Sequence, residues 1–267
     1  MTTLNGTDAL LLAFMAWGIG PGDAVFVPDF TFFASGEAAA LRGGGVPVFV
    51  DVEEDSFNMS ADSLGRRFVK SFMKRNWFQR RLLLSIFLDS RRIMTGSAKL
   101  RILTGCSCWK MARRDSADGL ERKEPAASEI FLRLHFSGKA AWMLRRRCAV
   151  FTDNDEWADL IRSYDIHGKR SGKYDNVRIG INSRLDTLQA AVLMVKLQAF
   201  QDFEMADVNQ AAERYHRMFQ TLSDAVQTPV IKKVFFQLGA VFNSAAAYRT
   251  PRRPAELSER KRNPFLI

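Results

Sequence analysis

The sequence predicts an α/β fold with a mostly parallel central sheet, and three observations carry that expectation. Apolar runs of strand length alternate with helix-length segments over residues 1–64, and a similar alternation resumes after residue 148. Glycine and proline punctuate the joints, as turns require. With 267 residues and 47% hydrophobic side chains, the chain has enough apolar material to cover both faces of such a sheet.

The elements follow in order. Gly6-Thr7-Asp8 stands before Ala9-Leu10-Leu11-Leu12-Ala13-Phe14, a polar cap leading into an apolar helix. Gly20-Pro21-Gly22-Asp23 forms a turn, Ala24-Val25-Phe26-Val27-Pro28 a short buried strand, and Phe33 to Leu41 a second helix. Val46-Pro47-Val48-Phe49-Val50-Asp51 supplies the next strand. Further along, Ala149-Val150-Phe151-Thr152 is strand-like and Asn154-Asp155-Glu156 opens a helix that runs to about Tyr164. From Leu185 a long helix follows, with Leu188, Val192, Val195, Phe200 and Phe203 near one face.

Between these parts lies sequence of another character. Residues 65–148 hold 21 basic and 6 acidic side chains, and residues 234–267 hold 6 and 2. The remainder has 12 basic and 21 acidic, so the net charge of +10 comes wholly from the two basic stretches. Within 65–148 apolar patches such as Leu82-Leu83-Leu84-Ser85-Ile86-Phe87-Leu88 occur, but charges arrive without period and no ordered alternation is legible. Cys106, Cys108 and Cys148 cannot all pair, and the close pair has no second Cys/His pair to complete a zinc site. The longest apolar runs fall short of the ~20 residues a membrane helix needs. No signal segment opens the chain, and a cytoplasmic protein is expected.

Three segments carry a resemblance. Asn5-Gly6-Thr7-Asp8-Ala9-Leu10, Pro28-Asp29-Phe30-Thr31-Phe32-Phe33-Ala34 and Gly180-Ile181-Asn182-Ser183-Arg184-Leu185-Asp186-Thr187-Leu188-Gln189-Ala190-Ala191 stand in family order. Together they resemble the DegT/StrS-type sugar aminotransferases, pyridoxal-phosphate enzymes of the aspartate-aminotransferase fold (fold type I). Pro47 to Val52, Phe57-Asn58-Met59 and Ala149 to Glu156 extend the likeness, which covers residues 4–64 and 149–233. The Asn182-Ser183-Arg184-Leu185-Asp186 form is similar to members that aminate nucleotide-linked keto sugars, especially those making diamino-uronic-acid sugars for surface polysaccharide.

The resemblance implies roles. Gly6 and Thr7, at a helix N-terminus with free N–H groups and a hydroxyl, would hold the cofactor phosphate; without the likeness they read as an ordinary cap. Phe32 matches the aromatic that stacks on the pyridine ring, although an aromatic beside Phe30 and Phe33 is more simply core. Asn182 would reach the phosphate in the partner subunit, and Arg184 would meet an anionic sugar nucleotide. Their plain readings are a loop-to-helix cap and a solvated first-turn charge. His167 is read as structural. The implied partners are a nucleotide-linked keto sugar, an amino-acid donor (glutamate in this family) and a second copy in a homodimer, with no membrane or nucleic-acid partner.

The rest of the chemistry belongs in residues 65–148, and its motifs are missing there. The family needs a lysine joined to the cofactor, an acid against the pyridinium nitrogen, and a glutamine and serine about ring and phosphate. Back-translation suggests where they went. Read from the third base of the Cys108 codon, Cys108-Trp109-Lys110-Met111-Ala112 is forced to give Leu, Glu, then Asp or Asn, then Gly. Continued through Ala117, that frame permits Leu-Glu-Asp-Gly-Ala-Gln-Gly-Phe-Gly, the family's cofactor-nitrogen motif. Read one base in, Gly138-Lys139-Ala140-Ala141-Trp142-Met143 permits Ala-Lys-Pro-Leu and forces Gly-Cys, so Lys139 keeps the place of the catalytic lysine among wrong neighbours. The segments from Gln237 and Lys261 similarly permit pieces of the family's small C-terminal domain.

The expected organisation is therefore a large aminotransferase domain over 1–233, with 65–148 out of frame, and an out-of-frame remnant of the small domain over 234–267. The N-terminal arm and most of the small domain are expected to be missing, and activity to be impaired. Two other readings compete. One is a non-catalytic remnant that still pairs with itself. The other is a basic nucleic-acid module in 65–148, using Arg91-Arg92, Arg145-Arg146-Arg147, Trp109 and Trp142.

Overall fold

The computed structural model describes residues 1–41, 44–55, 57, 59–75, 78–86, 107–112, 129–133, 148–152, 154–172, 174–199, 202–203, 205–221, 226–228 and 247–248. Its centre is a seven-stranded sheet. The strands are β1 (Thr2–Thr3), β2 (Asp23–Pro28), β3 (Val46–Val50), β4 (Phe78–Ile86), β5 (Ser107–Ala112), β6 (Glu129–Arg133) and β7 (Cys148–Thr152). They lie in the order β1-β7-β6-β5-β4-β2-β3. The β3-β2-β4-β5-β6 block is parallel throughout, while β7 runs antiparallel to both β6 and β1. The mostly parallel α/β sheet expected from the sequence is present.

Its middle is built from unexpected material. The basic stretch shows no legible order, yet it supplies β4, β5 and β6, three adjacent strands of the sheet. Ladder hydrogen bonds use backbone atoms alone, and a strand covered on both faces needs only a short apolar run. Leu82, Leu83 and Leu84 meet that requirement without alternation, in register with Cys108, Trp109 and Lys110 of β5.

The helices are α1 (Gly6–Trp17), α2 (Ala34–Leu41), α3 (Ala61–Arg75), α4 (Asp155–Tyr164), α5 (Thr187–Ala199) and α6 (Met205–Gln220). Helix α1 has no exposed residue, and Leu10, Leu12, Ala13 and Phe14 are fully buried against α2, α4 and β7. A helix apolar on all sides belongs in a core, and this one is there. It ends at Gly18 in the left-handed region (φ 66°), with Gly18 N–H bonded to Met15 O and Ile19 N–H to Phe14 O. That paired closure satisfies the last carbonyls and turns buried Ile19 back onto the same cluster.

Strand β2 shows why both faces of the sheet are covered. Val25 and Val27 join the cluster around α1, whereas Ala24 and Phe26 join a second cluster with Val50, Met59 and Leu64, against which Phe68 of α3 packs. The alternation is the two-residue period of a strand that is apolar from Ala24 to Pro28.

Helix boundaries depart slightly from expectation. The cap of α1 is Asn5, whose Oδ1 accepts the Asp8 N–H at 2.8 Å, so Gly6 and Thr7 are the first helical residues and not the cap. Helix α5 starts at Thr187, two residues later than expected, because Asp186 is its cap: Asp186 Oδ1 accepts from Gln189 N–H and Asp186 O from Ala190 N–H. Leu188, Val195 and Phe203 are exposed, so the apolar face of this region points away from the core; Phe200 lies outside the described residues.

Phe14→Ala is expected to cost about 3–5 kcal/mol in a urea titration, because it empties a fully enclosed site. Phe49→Ala, on the half-exposed side of β3, should cost under about 1 kcal/mol. Equal midpoints for the two variants would contradict the placement of the core around α1.

Candidate functional site

Strand directions define one edge of the sheet. Because β1 and β6 are both antiparallel to β7, β1 runs parallel to the β2–β6 block. The carboxyl ends of β1 and β2 therefore lie on the same edge, where open α/β sheets bind ligands. The β1–α1 joint there delivers Gly6 and Thr7, and the β2–α2 joint delivers Phe32.

Helix α1 presents its N-terminus at this edge. Asn5 caps the Asp8 N–H, and no partner is recorded among the described residues for the N–H groups of Gly6 and Thr7, both of which are partly accessible. Two donors at the positive end of a helix, with the Thr7 hydroxyl beside them, suit a phosphate. In the β2–α2 joint, Asp29 N–H bonds Val50 O and the Thr31 and Ser35 hydroxyls lie 3.0 Å apart, which fixes the loop. Phe30 turns inward to Phe57, at 5.5 Å between centroids. Phe32 is instead 53% exposed and Phe33 73%. The core reading of Phe32 is thereby excluded, and an aromatic ring is presented at the edge that holds the phosphate donors.

A tight hairpin returns the chain to the same edge. His167 N–H bonds Ile181 O, Val177 N–H bonds Gly168 O, and Ile181 N–H bonds Tyr164 O. Gly168 sits at φ 72° with the Arg178 carbonyl where a side chain would stand, so only glycine fits. His167 itself holds a left-handed φ of 66° and its side chain is exposed, in keeping with a structural role. Arg178 covers the Tyr164 ring and donates to Ser163 Oγ at 2.8 Å, closing the hairpin base.

Asn182 and Arg184 emerge from this hairpin beside the start of α1. Leu4 N–H donates to Ser183 O at 2.9 Å and to Ser183 Oγ at 3.0 Å. Ser183 Oγ in turn donates to Asp8 Oδ2 at 2.7 Å. Both neighbours of Ser183 are exposed, and Arg184 Nε donates to Asn182 Oδ1 at 3.1 Å. Asp186 caps α5 in place of Asn182, whereas Arg184 is an exposed charge as the plain reading has it, set before the helix and not in its first turn. The structure thus brings Gly6, Thr7, Asn182 and Arg184 together.

Lys139 lies outside the described residues, as do Arg91-Arg92, Arg145-Arg146-Arg147, Trp142 and the segments from Gln237 and Lys261. The strands flanking Lys139 in sequence are described: β6 ends at Arg133 and β7 begins at Cys148 on this same edge. Cys148 is buried with its Sγ against Gly6. Strand β5 reaches the edge as Ser107-Cys108-Trp109-Lys110-Met111-Ala112 and carries no carboxylate.

The sequence left Asp165, Ser183 and Asp8 unassigned. Asp165 follows α4, and its carbonyl accepts the Ser183 N–H at 3.1 Å. Burial pushes its carboxyl up to about 6; the Arg184 guanidinium opposes that shift and the Asp8 carboxylate adds to it. Asp165 Oδ1 is buried with no hydrogen-bond partner. No pattern in the sequence signals this residue, because its surroundings come from α1 and the hairpin.

A sequence model of the DegT/DnrJ/EryC1/StrS aminotransferase family matches residues 1–70 and 148–255, more than half of the chain. The first block passes the expected boundary at 64, and the second passes the one at 233. The UDP-2-acetamido-2-deoxy-3-oxo-D-glucuronate aminotransferase of Pseudomonas aeruginosa is 30% identical over 231 residues, covering 85% of this chain and 60% of that protein. The dTDP-3-amino-3,4,6-trideoxy-alpha-D-glucose transaminase of Streptomyces venezuelae is 33% identical over 200 residues, covering 72% and 49%. The chain thus spans about half to three fifths of the length of these relatives. Among solved structures, an aminotransferase of the same family from Brucella abortus superposes with a TM-score of 0.71 at 34% identity, over 90% of this chain and 63% of that one. The fold is that of the fold type I aminotransferase large domain.

Raising the Asp165 value has a consequence for stability. Its carboxyl is protonated more readily in the folded chain than at its ordinary value of 3.8, so ionisation opposes folding. The penalty is absent below pH 3.8, grows as pH rises to about 6, and is complete above that. Asp165→Asn removes it. The variant should melt a few degrees above wild type at neutral pH, with the gap closing as the pH approaches 3.8 in a series of thermal scans. A pH-independent gap would contradict the assignment.

Proposed function

Because the chain belongs to the DegT/DnrJ/EryC1/StrS aminotransferase family, we propose that it derives from an enzyme that aminates a nucleotide-linked keto sugar with pyridoxal phosphate, and that its own activity is impaired. One observation carries this reading. The family match holds through the segments that form the phosphate end of the site and breaks across residues 71–147, where the ring-binding and lysine motifs belong.

The two ends of the site differ in how they fit the cofactor. At the phosphate end the unspent N–H groups of Gly6 and Thr7, the Thr7 hydroxyl and the exposed Phe32 ring suit a phosphorylated aromatic aldehyde. Asn182 would add a contact to the phosphate in the partner subunit, and Arg184 would meet the diphosphate or carboxylate of the sugar nucleotide. At the ring end the fit fails. A protonated pyridine nitrogen needs an anion beside it, and the back-translated acid straddles the Lys110 and Met111 codons of β5, neither of which encodes a carboxylate. Bound pyridoxal phosphate supplies an electron sink, which is lost without that anion. Lys139 keeps its place in the sequence without the neighbours that would orient it.

The parent's proposed substrate class follows the name of the Pseudomonas aeruginosa relative, a UDP-linked 3-keto uronic acid; the glutamate donor and the surface-polysaccharide role are proposed from the family resemblance. Leu188, Met194 and Val195 of α5 are each more than 70% exposed, an apolar surface that a second copy in a homodimer would cover. No helix among the described residues is long and apolar enough to cross a membrane.

The experiment is a titration of the full chain with pyridoxal phosphate. Weak, saturable binding that inorganic phosphate competes away is expected, with no visible absorbance band that Lys139→Ala removes. A clear Lys139-dependent band would overturn the impairment. A chain with the frame restored across 71–147 should show that band and a glutamate-dependent amination of the UDP keto sugar; its failure to do so would overturn the substrate reading.

A further inference from the structure

We propose that Ser183 is a positioning residue, clamped by Asp8, that holds Arg184, through its bond to Asn182, ready for an anionic sugar nucleotide. The inference rests on the reading of Arg184 given above and adds two residues that the sequence left without a role.

Ser183 is fully buried although both of its neighbours are exposed. A buried hydroxyl must find partners, and this one both donates and accepts. It donates to Asp8 Oδ2 at 2.7 Å and accepts the Leu4 N–H at 3.0 Å. Its backbone is spent as well, with the N–H on Asp165 O and the carbonyl on Leu4 N–H. The hydroxyl–carboxylate bond is short and charge-assisted, and it crosses 175 residues of sequence. Asp8 is itself fixed, since its N–H is capped by Asn5 and it sits in the first turn of the buried helix α1.

Such a clamp acts on the residues at either side of it. Arg184 and Asn182 are exposed side chains on a loop and would lose conformational freedom on binding a ligand. Ser183 pins the backbone between them, one residue from each, to the same helix that presents Gly6 and Thr7. Arg184 Nε is already engaged by Asn182 Oδ1, which orients the guanidinium and leaves its terminal amino groups for an oxyanion. Ordering in advance removes part of the cost of recognition. Ser183 has no need to touch the ligand; it acts through Arg184.

The test measures UDP affinity of the full chain by calorimetry, beside its melting temperature. Arg184→Ala and Ser183→Ala should each weaken UDP binding about tenfold, the scale of one hydrogen bond to a charged group. The double variant should be no weaker than Arg184→Ala alone, because Ser183 acts through that side chain. Asp8→Ala should behave as Ser183→Ala, and Asp8→Asn, which keeps an acceptor oxygen, should restore most of the affinity. A Ser183→Ala chain that melts earlier but keeps its UDP affinity within about twofold would overturn the inference, as would losses that add in full in the double variant. If Arg184→Ala leaves UDP affinity unchanged, the sugar-nucleotide reading of Arg184 falls, and the inference with it. If Arg184→Ala weakens binding and Ser183→Ala does not, only the inference falls.

Discussion

The enclosure of helix α1 is the constraint on which the rest of the site depends. Its apolar residues face α2, α4 and β7, so the helix has one place to lie. That placement fixes its N-terminus at the edge where the parallel strands end. The free donors of Gly6 and Thr7 and the Asp8 carboxylate therefore occupy fixed positions at the edge. Ser183 ties the hairpin loop to Asp8, and Arg184 and Asn182 follow from that bond. The candidate phosphate donors and the Arg184–Asn182 pair are thus both positioned by one hydrophobic helix.

Much of this frame was legible before any coordinates. Helix α1, strands β2 and β3 and the turn at Gly20-Pro21-Gly22 were readable because each states its character locally, through apolar runs bounded by Gly and Pro. The middle of the sheet was not. Leu82 to Leu84 give no alternation to read, yet any short apolar run can be accepted between two parallel neighbours, since the ladder itself is indifferent to side chains. A sheet of family order can thus be assembled from segments without family motifs. The sheet continues through residues that the family model does not match, so backbone topology alone says nothing of the chemistry there.

The site was legible unevenly for a similar reason. Gly6, Thr7, Phe32, Asn182 and Arg184 stood in motifs, and the resemblance alone distinguished them from caps, core and surface charge. The exposure of Phe32 and the capping of α5 by Asp186 set aside the plain readings of Phe32 and Asn182, while Arg184 remains an exposed charge. Asp165 carried no local signal, and Asp8 and Ser183 stood in a cap and a motif that gave them no site role. Their meaning lies in contacts between α1 and a hairpin far along the chain, and no periodicity records such pairs.

The charge imbalance belongs to the same division. The net +10 arises from residues 65–148 and 234–267, while the remainder is acidic, as expected if the basic stretches are read in the wrong frame. The nucleotide sequence encoding residues 60–150 tests this most directly. Insertions or deletions of one or two bases are expected near the ends of the unmatched interval, and the corrected frame should read Leu-Glu-Asp-Gly-Ala-Gln across the codons from Cys108 and Ala-Lys-Pro-Leu-Gly-Cys across those from Gly138. An uninterrupted frame, with no such change relative to genes of the family, would contradict the account.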